Sequence, residues 1–190
     1  MSIIRTVFLV AVLALHAFAA GAVEFNKISD KSSIDFIYKQ MNVPMAGNFK
    51  VFSGNLVFDP AKPNAGSARL DIDLSSIDTG ASDADEEVRG KLWFNTKAFP
   101  QAQFLTTGIK PIAPGLLEVN GKLSIKGKTR DVTSRVSFHQ DGGNAVFEGA
   151  LVIRRADFGI GEGIWADFGT VANEVQIKFR LIATSVVQKK

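Results

Sequence analysis

From residue 30 onward, apolar residues recur at every second position, and this feature constrains the fold class more tightly than any other. Ile34, Phe36 and Tyr38 alternate with Ser33, Asp35 and Lys39, and Ala68, Leu70, Ile72 and Leu74 alternate with Arg69, Asp71 and Asp73. Leu117, Val119, Gly121, Leu123 and Ile125 share one parity, as do Val132, Ser134, Val136 and Phe138. Ala145, Phe147, Gly149, Leu151 and Ile153 follow, and Val175, Ile177, Phe179 and Leu181 face away from Glu174, Gln176, Lys178 and Arg180. Side chains on a strand alternate between the two faces of its sheet, so each run predicts an antiparallel strand with one dry and one wet face.

Turn chemistry separates the runs. Asp59-Pro60 through Ala65-Gly66, Ala113-Pro114-Gly115, Lys126-Gly127-Lys128 and Asp141-Gly142-Gly143-Asn144 carry the residues that tight reversals need. Between Ala46 and Phe58 the parity slips, with Phe49 and Val51 odd but Phe52, Leu56 and Phe58 even. A bulge or bend near Val51–Gly54 accounts for the slip and would help a sheet curl into a barrel. One segment breaks the strand pattern. Ser82 to Phe94 opens with a capping type and acidic residues, turns basic, and spaces Val88 and Leu92 four apart, which predicts a short helix. About eight strands and one helical excursion fit either a barrel or a sandwich, and periodicity does not choose between them. Nor does it say whether the phenylalanine-rich interior is a filled core or a tunnel.

The N-terminus carries an export signal. Arg5 precedes the apolar run Thr6–Leu15, and Ala17-Phe18-Ala19 and Ala20-Gly21-Ala22 both fit the small-residue cleavage pattern. The run falls short of the ~20 apolar residues that span a bilayer. Residues 1–22 are therefore expected to be a signal peptide cut after Ala19 or Ala22, with 23–190 as one domain exported to the periplasm without a stable membrane anchor.

Composition removes several chemistries. The chain has no cysteine, so thiol catalysis and thiolate metal sites are out. With His16 in the signal segment, His139 is the one mature imidazole, sited just before a turn, and a single histidine cannot build a multi-histidine metal centre. The chain carries 22 Lys and Arg against 19 Asp and Glu, too small an excess for a nucleic-acid partner. Asp83 and Asp85 read as helix caps rather than a catalytic pair. Ser124 and Ser134 lack a histidine partner. Arg155 and Asp157 either pair with each other or neighbours on a strand face, or grip a polar head group at a barrel mouth. Gly159 to Gly163 reads as a flexible lid or turn, with Trp165 closing over a ligand or packing on the barrel end.

Six landmarks then occur in a known order. These are Gly47-Asn48-Phe49-Lys50-Val51-Phe52-Ser53-Gly54; Phe58-Asp59-Pro60; Ser76-Ile77-Asp78-Thr79; Phe99-Pro100 with Phe104; Val119 through Arg130; and Arg155-Ala156-Asp157-Phe158-Gly159. From Ser32 to the end the chain resembles the YceI family. Many members carry an Arg-Asp and histidine-containing pattern before the Phe-Pro landmark. Here Glu86 to Trp93 stands instead without histidine, so no head-group contact is carried over. The resemblance implies an extended, lipocalin-like, antiparallel eight-stranded barrel that binds a long-chain amphiphile, polyisoprenoid or quinone-like, with no cofactor and no catalysis. It leaves open a homodimer, an enzyme-like or redox-accessory role on such a lipid, and a filled barrel that serves as an interaction module. The residues expected to line the interior and its mouth are Phe36, Tyr38, Phe49, Phe52, Phe94, Phe104, Phe147, Ile153, Phe158, Trp165, Ile177 and Phe179.

Export generates the first prediction: N-terminal sequencing of protein from the periplasmic fraction should begin at Ala20 or Val23. An intact Met1 in a membrane fraction would refute it.

Overall fold

A computed structural model describes residues 25–185, so the expected signal segment and its two cleavage points lie outside the described residues. The strands are β1 (Phe25–Ile28), β2 (Ser33–Gln40), β3 (Val43–Phe49), β4 (Phe52–Val57), β5 (Ser67–Asp73), β6 (Ile77–Asp78), β7 (Gln101–Ala113), β8 (Leu116–Ile125), β9 (Lys128–Asp141), β10 (Asn144–Arg154) and β11 (Glu174–Ser185). Among the described residues one α-helix, α1 (Ser82–Arg89), interrupts them.

Every pairing is antiparallel, and the sheet curls into a lipocalin-like barrel. The described residues form eleven strand segments where eight strands were expected, because the stretches β1–β2, β3–β4 and β5–β6 are each broken once. β1 and β2 both pair with β11, from Phe25 opposite Ser185 to Ile37 opposite Gln176. β3 pairs with β2 and β6, while β4 pairs with β5, and Phe58, just past β4, bridges to Phe25 of β1. The meander β7-β8-β9-β10-β11 completes the circuit, with β7 against β5.

The parity slip has a local cause. β3 ends and β4 begins around Lys50 and Val51, at the near edge of the predicted bend. The neighbouring strand kinks in step through a 3-10 turn, Leu74–Ser76. Freed backbone groups are taken up there: Lys50 N donates to Ser76 O at 3.1 Å, Val51 N to Ser76 Oγ at 3.0 Å, and Asp73 N to Val51 O at 3.0 Å. Paired strands can change facing together without orphaning polar groups.

Three strand glycines set the curvature. A Cβ at Gly47 would collide with the Phe36 ring, one at Gly121 with Phe104, and one at Gly149 with Phe179. In each case a phenylalanine from the adjacent strand lies across the bare backbone, so large inward side chains tilt along the wall instead of meeting at the axis.

The helix is shorter than its sequence pattern suggests. It stops at Arg89, and Leu92, Trp93 and Phe94 fall in the following turns. Ser82 lies inside the first turn and Ala81 occupies the cap position without a side-chain bond. Asp85 does not cap either: its Oδ1 accepts from Thr79 N and Thr79 Oγ1, both at 2.7 Å, tying the helix to the strand that precedes it.

Gly149→Ala tests the curvature argument. Its Cβ would stand 2.6 Å from Phe179 Cζ, so the ring must move. The expected loss is about 1–3 kcal/mol in urea unfolding. A change near zero would mean that the Phe179 ring is not held against this glycine.

Candidate ligand-binding site

The wall residues do not meet at the barrel axis. They enclose a cavity of about 550 Å³, within the range of about 300–1,000 Å³ that small-molecule sites occupy. Phe58 and Phe147 close one end, packed edge to face with centroids 5.1 Å apart, and Phe138 backs them at 4.8 and 5.2 Å. Leucine, isoleucine and valine from β5, β8, β9, β10 and β11 form the walls. At the opposite end α1 presents Asp83, Ala84, Glu87 and Val88, and a row of rings leads inward. Tyr38 lies 6.1 Å from Phe36, Phe36 lies 5.5 Å from Phe49, and Phe49 meets Phe94 edge-on at 6.2 Å.

Ten of the twelve residues expected to line the interior do line this cavity: Phe36, Tyr38, Phe49, Phe94, Phe104, Phe147, Ile153, Trp165, Ile177 and Phe179. Two do not. Phe52, the first residue after the strand break, is half-buried against the core without forming wall. Phe158, 2 % exposed, sits in the 3-10 turn Arg155–Phe158, where strand parity no longer says which way a side chain points. Sequence reasoning missed Phe58, Trp93 and the helix face. Asp83–Glu87 and Ala84–Val88 each stand four apart, the spacing that puts residues on one face, and this was the available signal.

Arg155 is neither on a strand nor paired with Asp157. It sits in the turn after β10, 1 % exposed, and each N–H of its guanidinium meets a backbone carbonyl. Nε is shared between Val171 O (3.3 Å) and Ala172 O (3.2 Å). Nη1 donates to Ile160 O (2.9 Å) and Gly161 O (2.8 Å), and Nη2 donates to Trp165 O (2.7 Å) and Val171 O (2.8 Å). The Trp93 and Phe168 rings flank the charge at 5.5 and 5.1 Å. Burial pushes the guanidinium pKa below its ordinary value and Asp167 partly offsets that, but an arginine keeps its proton regardless.

The glycine loop is therefore a binding frame for Arg155 rather than a free lid. Gly159, Gly161 and Gly163 have φ of +68°, +75° and +62°, and a Cβ at Gly161 would strike Arg155 Nη1. Two ties fix the frame. Lys126 Nζ reaches Gly159 O (2.6 Å) and Glu162 (3.0 Å), and Trp165 Nε1 donates to Glu87 Oε1 on α1 (2.7 Å). Trp165 also packs on Trp93 at 5.5 Å.

Polar groups on the wall are mostly engaged already. Ser134 Oγ donates to Ala150 O (3.0 Å), and Thr106 Oγ1 accepts from Ala68 N (3.1 Å). Tyr38 is held above its ordinary pKa, first by burial and then by the Asp85 charge, so its hydroxyl stays protonated. Among the described residues, no group of three or more His, Asp or Glu is arranged to hold a metal ion, and His139 is exposed near the end of β9.

The model of the YceI-like domain matches residues 25–183. Protein YceI of Salmonella arizonae is 31% identical over 150 residues, covering 76% of this chain and 74% of that one. The crystal structure of Burkholderia cenocepacia BcnA superposes with a TM-score of 0.81 at 46% identity, over 83% of this chain and 99% of that chain. A polyisoprenoid binding domain from Saccharophagus degradans, implicated in plant cell wall breakdown, shares the fold at a TM-score of 0.69 and 19% identity, over 86% of this chain and 99% of that one.

Replacing Arg155 by Met keeps length and removes every donor, leaving five carbonyls short of a partner. At ~1–3 kcal/mol for each group truly left unpaired, a loss of at least about 3 kcal/mol is expected. Arg155→Lys should recover only part, because an ammonium offers three donors from one point. Denaturant unfolding of both variants checks this, and a loss below about 1 kcal/mol for Arg155→Met would overturn it.

Proposed function

The chain belongs to the YceI-like family, and we propose that it is an exported, periplasmic carrier of a long-chain amphiphilic lipid of isoprenoid type. The observation that carries this reading is the apolar cavity, running from the Phe58–Phe147 end to α1 and the glycine loop. The Saccharophagus domain, described as binding a polyisoprenoid, supports the choice of tail. No helix among the described residues is long and apolar enough to cross a membrane.

The energetics suit this role. Burying ten methylenes at ~0.8 kcal/mol each gives roughly 8 kcal/mol, from which the ordering of a flexible chain subtracts a good part. A tail held by an apolar wall needs few polar contacts, and the protein then acts by shielding its ligand from water rather than by chemistry on it.

Leu151, half-buried on β10 and part of the wall, provides the test. Native mass spectrometry of protein from its own envelope fraction should show a bound isoprenoid lipid. Leu151→Trp should weaken lipid uptake by about tenfold or more while costing less than about 1 kcal/mol of stability, where overpacking a filled core costs ~1–3. No bound lipid in the parent protein, with a large stability loss in the variant, would remove the carrier reading.

A further inference from the structure

The apolar wall does not stop where the cavity does. Gln40, Asp83 and Glu87 line the cavity and are also exposed, so it reaches the surface at the α1 end. On β3, Val43 and Met45 share strand parity with Phe49, which lines the cavity, and Met45 stands opposite Tyr38 of β2, another lining residue. Val43 is 57 % and Met45 37 % exposed. The inner face of the β2–β3 hairpin therefore carries an apolar track out of the cavity toward the hairpin tip.

At that tip stands Met41, 73 % exposed. Met41 and Asn42 both have positive φ, +49° and +65°, as in a two-residue type I′ turn, where asparagine and glycine are the usual residues. A methionine there carries an apolar side chain into water on strained backbone. The tip is stapled to the loop between β10 and β11, since Met41 N donates to Thr170 O and Ala172 N to Lys39 O, both at 2.9 Å. That loop holds Phe168, 48 % exposed, and Ile164, at 81 % the most exposed large apolar residue among those described. Leu92, exposed as well, lies beside the same loop, its Cδ2 3.4 Å from where a Gly163 Cβ would be. The two most exposed large apolar side chains among the described residues, Ile164 and Met41, thus sit at the end where the cavity opens.

Six such side chains fall far short of the roughly 20–30 residues a side that a stable protein partner buries. A bilayer asks for less, because a few apolar side chains sunk to the boundary of head groups and acyl chains bind reversibly in proportion to the area they bury. The charged residues within two positions of the six are Lys39, Lys91, Glu162 and Asp167, two of each sign, so the rim does not select an anionic surface. Building on the carrier reading, we propose that this end docks the protein on a zwitterionic bilayer surface, with Met41 and Ile164 sunk into it. The Val43–Met45 track is then the path along which a lipid tail passes between bilayer and cavity without crossing water.

Delipidated full-length mature protein and vesicles of phosphatidylcholine test this. The parent should float with the vesicles, and a Met41→Asn, Ile164→Ser double variant should associate about tenfold or more weakly, as the loss of two inserted apolar side chains allows. Its urea midpoint should not fall, because asparagine suits the turn and both sites are exposed. Ile112→Ser, an exposed apolar site beside the β7–β8 turn at the far end of the barrel, should leave association unchanged. Adding phosphatidylglycerol to the vesicles should not strengthen it. Transfer of a fluorescent isoprenoid between vesicles should quicken with acceptor-vesicle concentration and slow in the double variant, while farnesol added from solution binds parent and variant equally. No association of the parent, association that needs the anionic lipid or survives the double substitution, or self-association through this end in place of vesicle binding would overturn the docking surface. A transfer rate indifferent to acceptor concentration would overturn the track. In each of those cases farnesol binding leaves the carrier reading in place, whereas a parent that takes up no farnesol would remove the carrier reading itself.

Discussion

A barrel with an unfilled interior cannot rely on a close-packed centre to hold its shape, so its ends must be fixed by other means. At one end that means is the Arg155 guanidinium. β10 stops at Arg154 and β11 begins at Glu174, and the chain between them could not be held by ladder bonds alone. The planar fork gathers five carbonyls from that stretch, and the Trp93 and Phe168 rings shield its flanks. A buried charge is costly without a counter-ion, and this one meets a cage of carbonyl dipoles with every donor used. Gly161 is what admits the fork, since any side chain there would occupy the guanidinium's place. Trp93 is positioned by the same contacts, so one buried cation fixes the loop and the aromatic end of the cavity together.

The walls obey a related constraint. A phenylalanine-rich interior normally collapses until its rings interlock at a density near that of organic crystals. Gly47, Gly121 and Gly149 divert that tendency by letting Phe36, Phe104 and Phe179 lie over neighbouring backbone. Rings placed along the wall cover the sheet from within and leave the axis clear. The matched kinks at Lys50–Val51 and Leu74–Ser76 close the curl, with the Ser76 hydroxyl and carbonyl replacing interrupted ladder bonds.

Much of this was legible in the sequence because it depends on period two. Strand facing and the break in the second strand follow from where Ile, Leu, Val and Phe recur, and eight of the ten expected residues that line the cavity, all but Phe94 and Trp165, lie on those strands or in the family landmarks. What was not legible sits where periodicity ends. Phe158 lies on a turn, so no parity rule gives its direction. The Arg155–Asp157 spacing suggested an ion pair, but the guanidinium partners are backbone carbonyls, which carry no residue identity to read. The glycine run looked like a lid because glycine permits motion, whereas its positive φ angles serve to aim Ile160 and Gly161 carbonyls at one cation. A tunnel and a filled core have the same alternation, so only the placement of rings against glycines separates them.

This arrangement divides the molecule's two requirements between different groups. Shape is held at the periphery, by ladder bonds, the Ser76 kink and the Arg155 cage, whereas the centre contributes apolar surface with no fixed partner. Wall hydroxyls such as those of Ser134 and Thr106 bond to backbone and so make no demand on a guest. A flexible tail can then lie in the cavity in many closely related ways without disturbing the fold, and each buried methylene adds about the same increment. Anything bound only by the folded barrel also stabilises it, by ~2.7 kcal/mol at a free concentration a hundredfold above Kd. Selectivity cannot come from such a wall, because a methylene is recognised in the same way wherever it lies. It must come from the end where the wall ceases to be uniform, between α1, Trp93 and the Arg155 loop, where the guanidinium ties the chain together through backbone carbonyls.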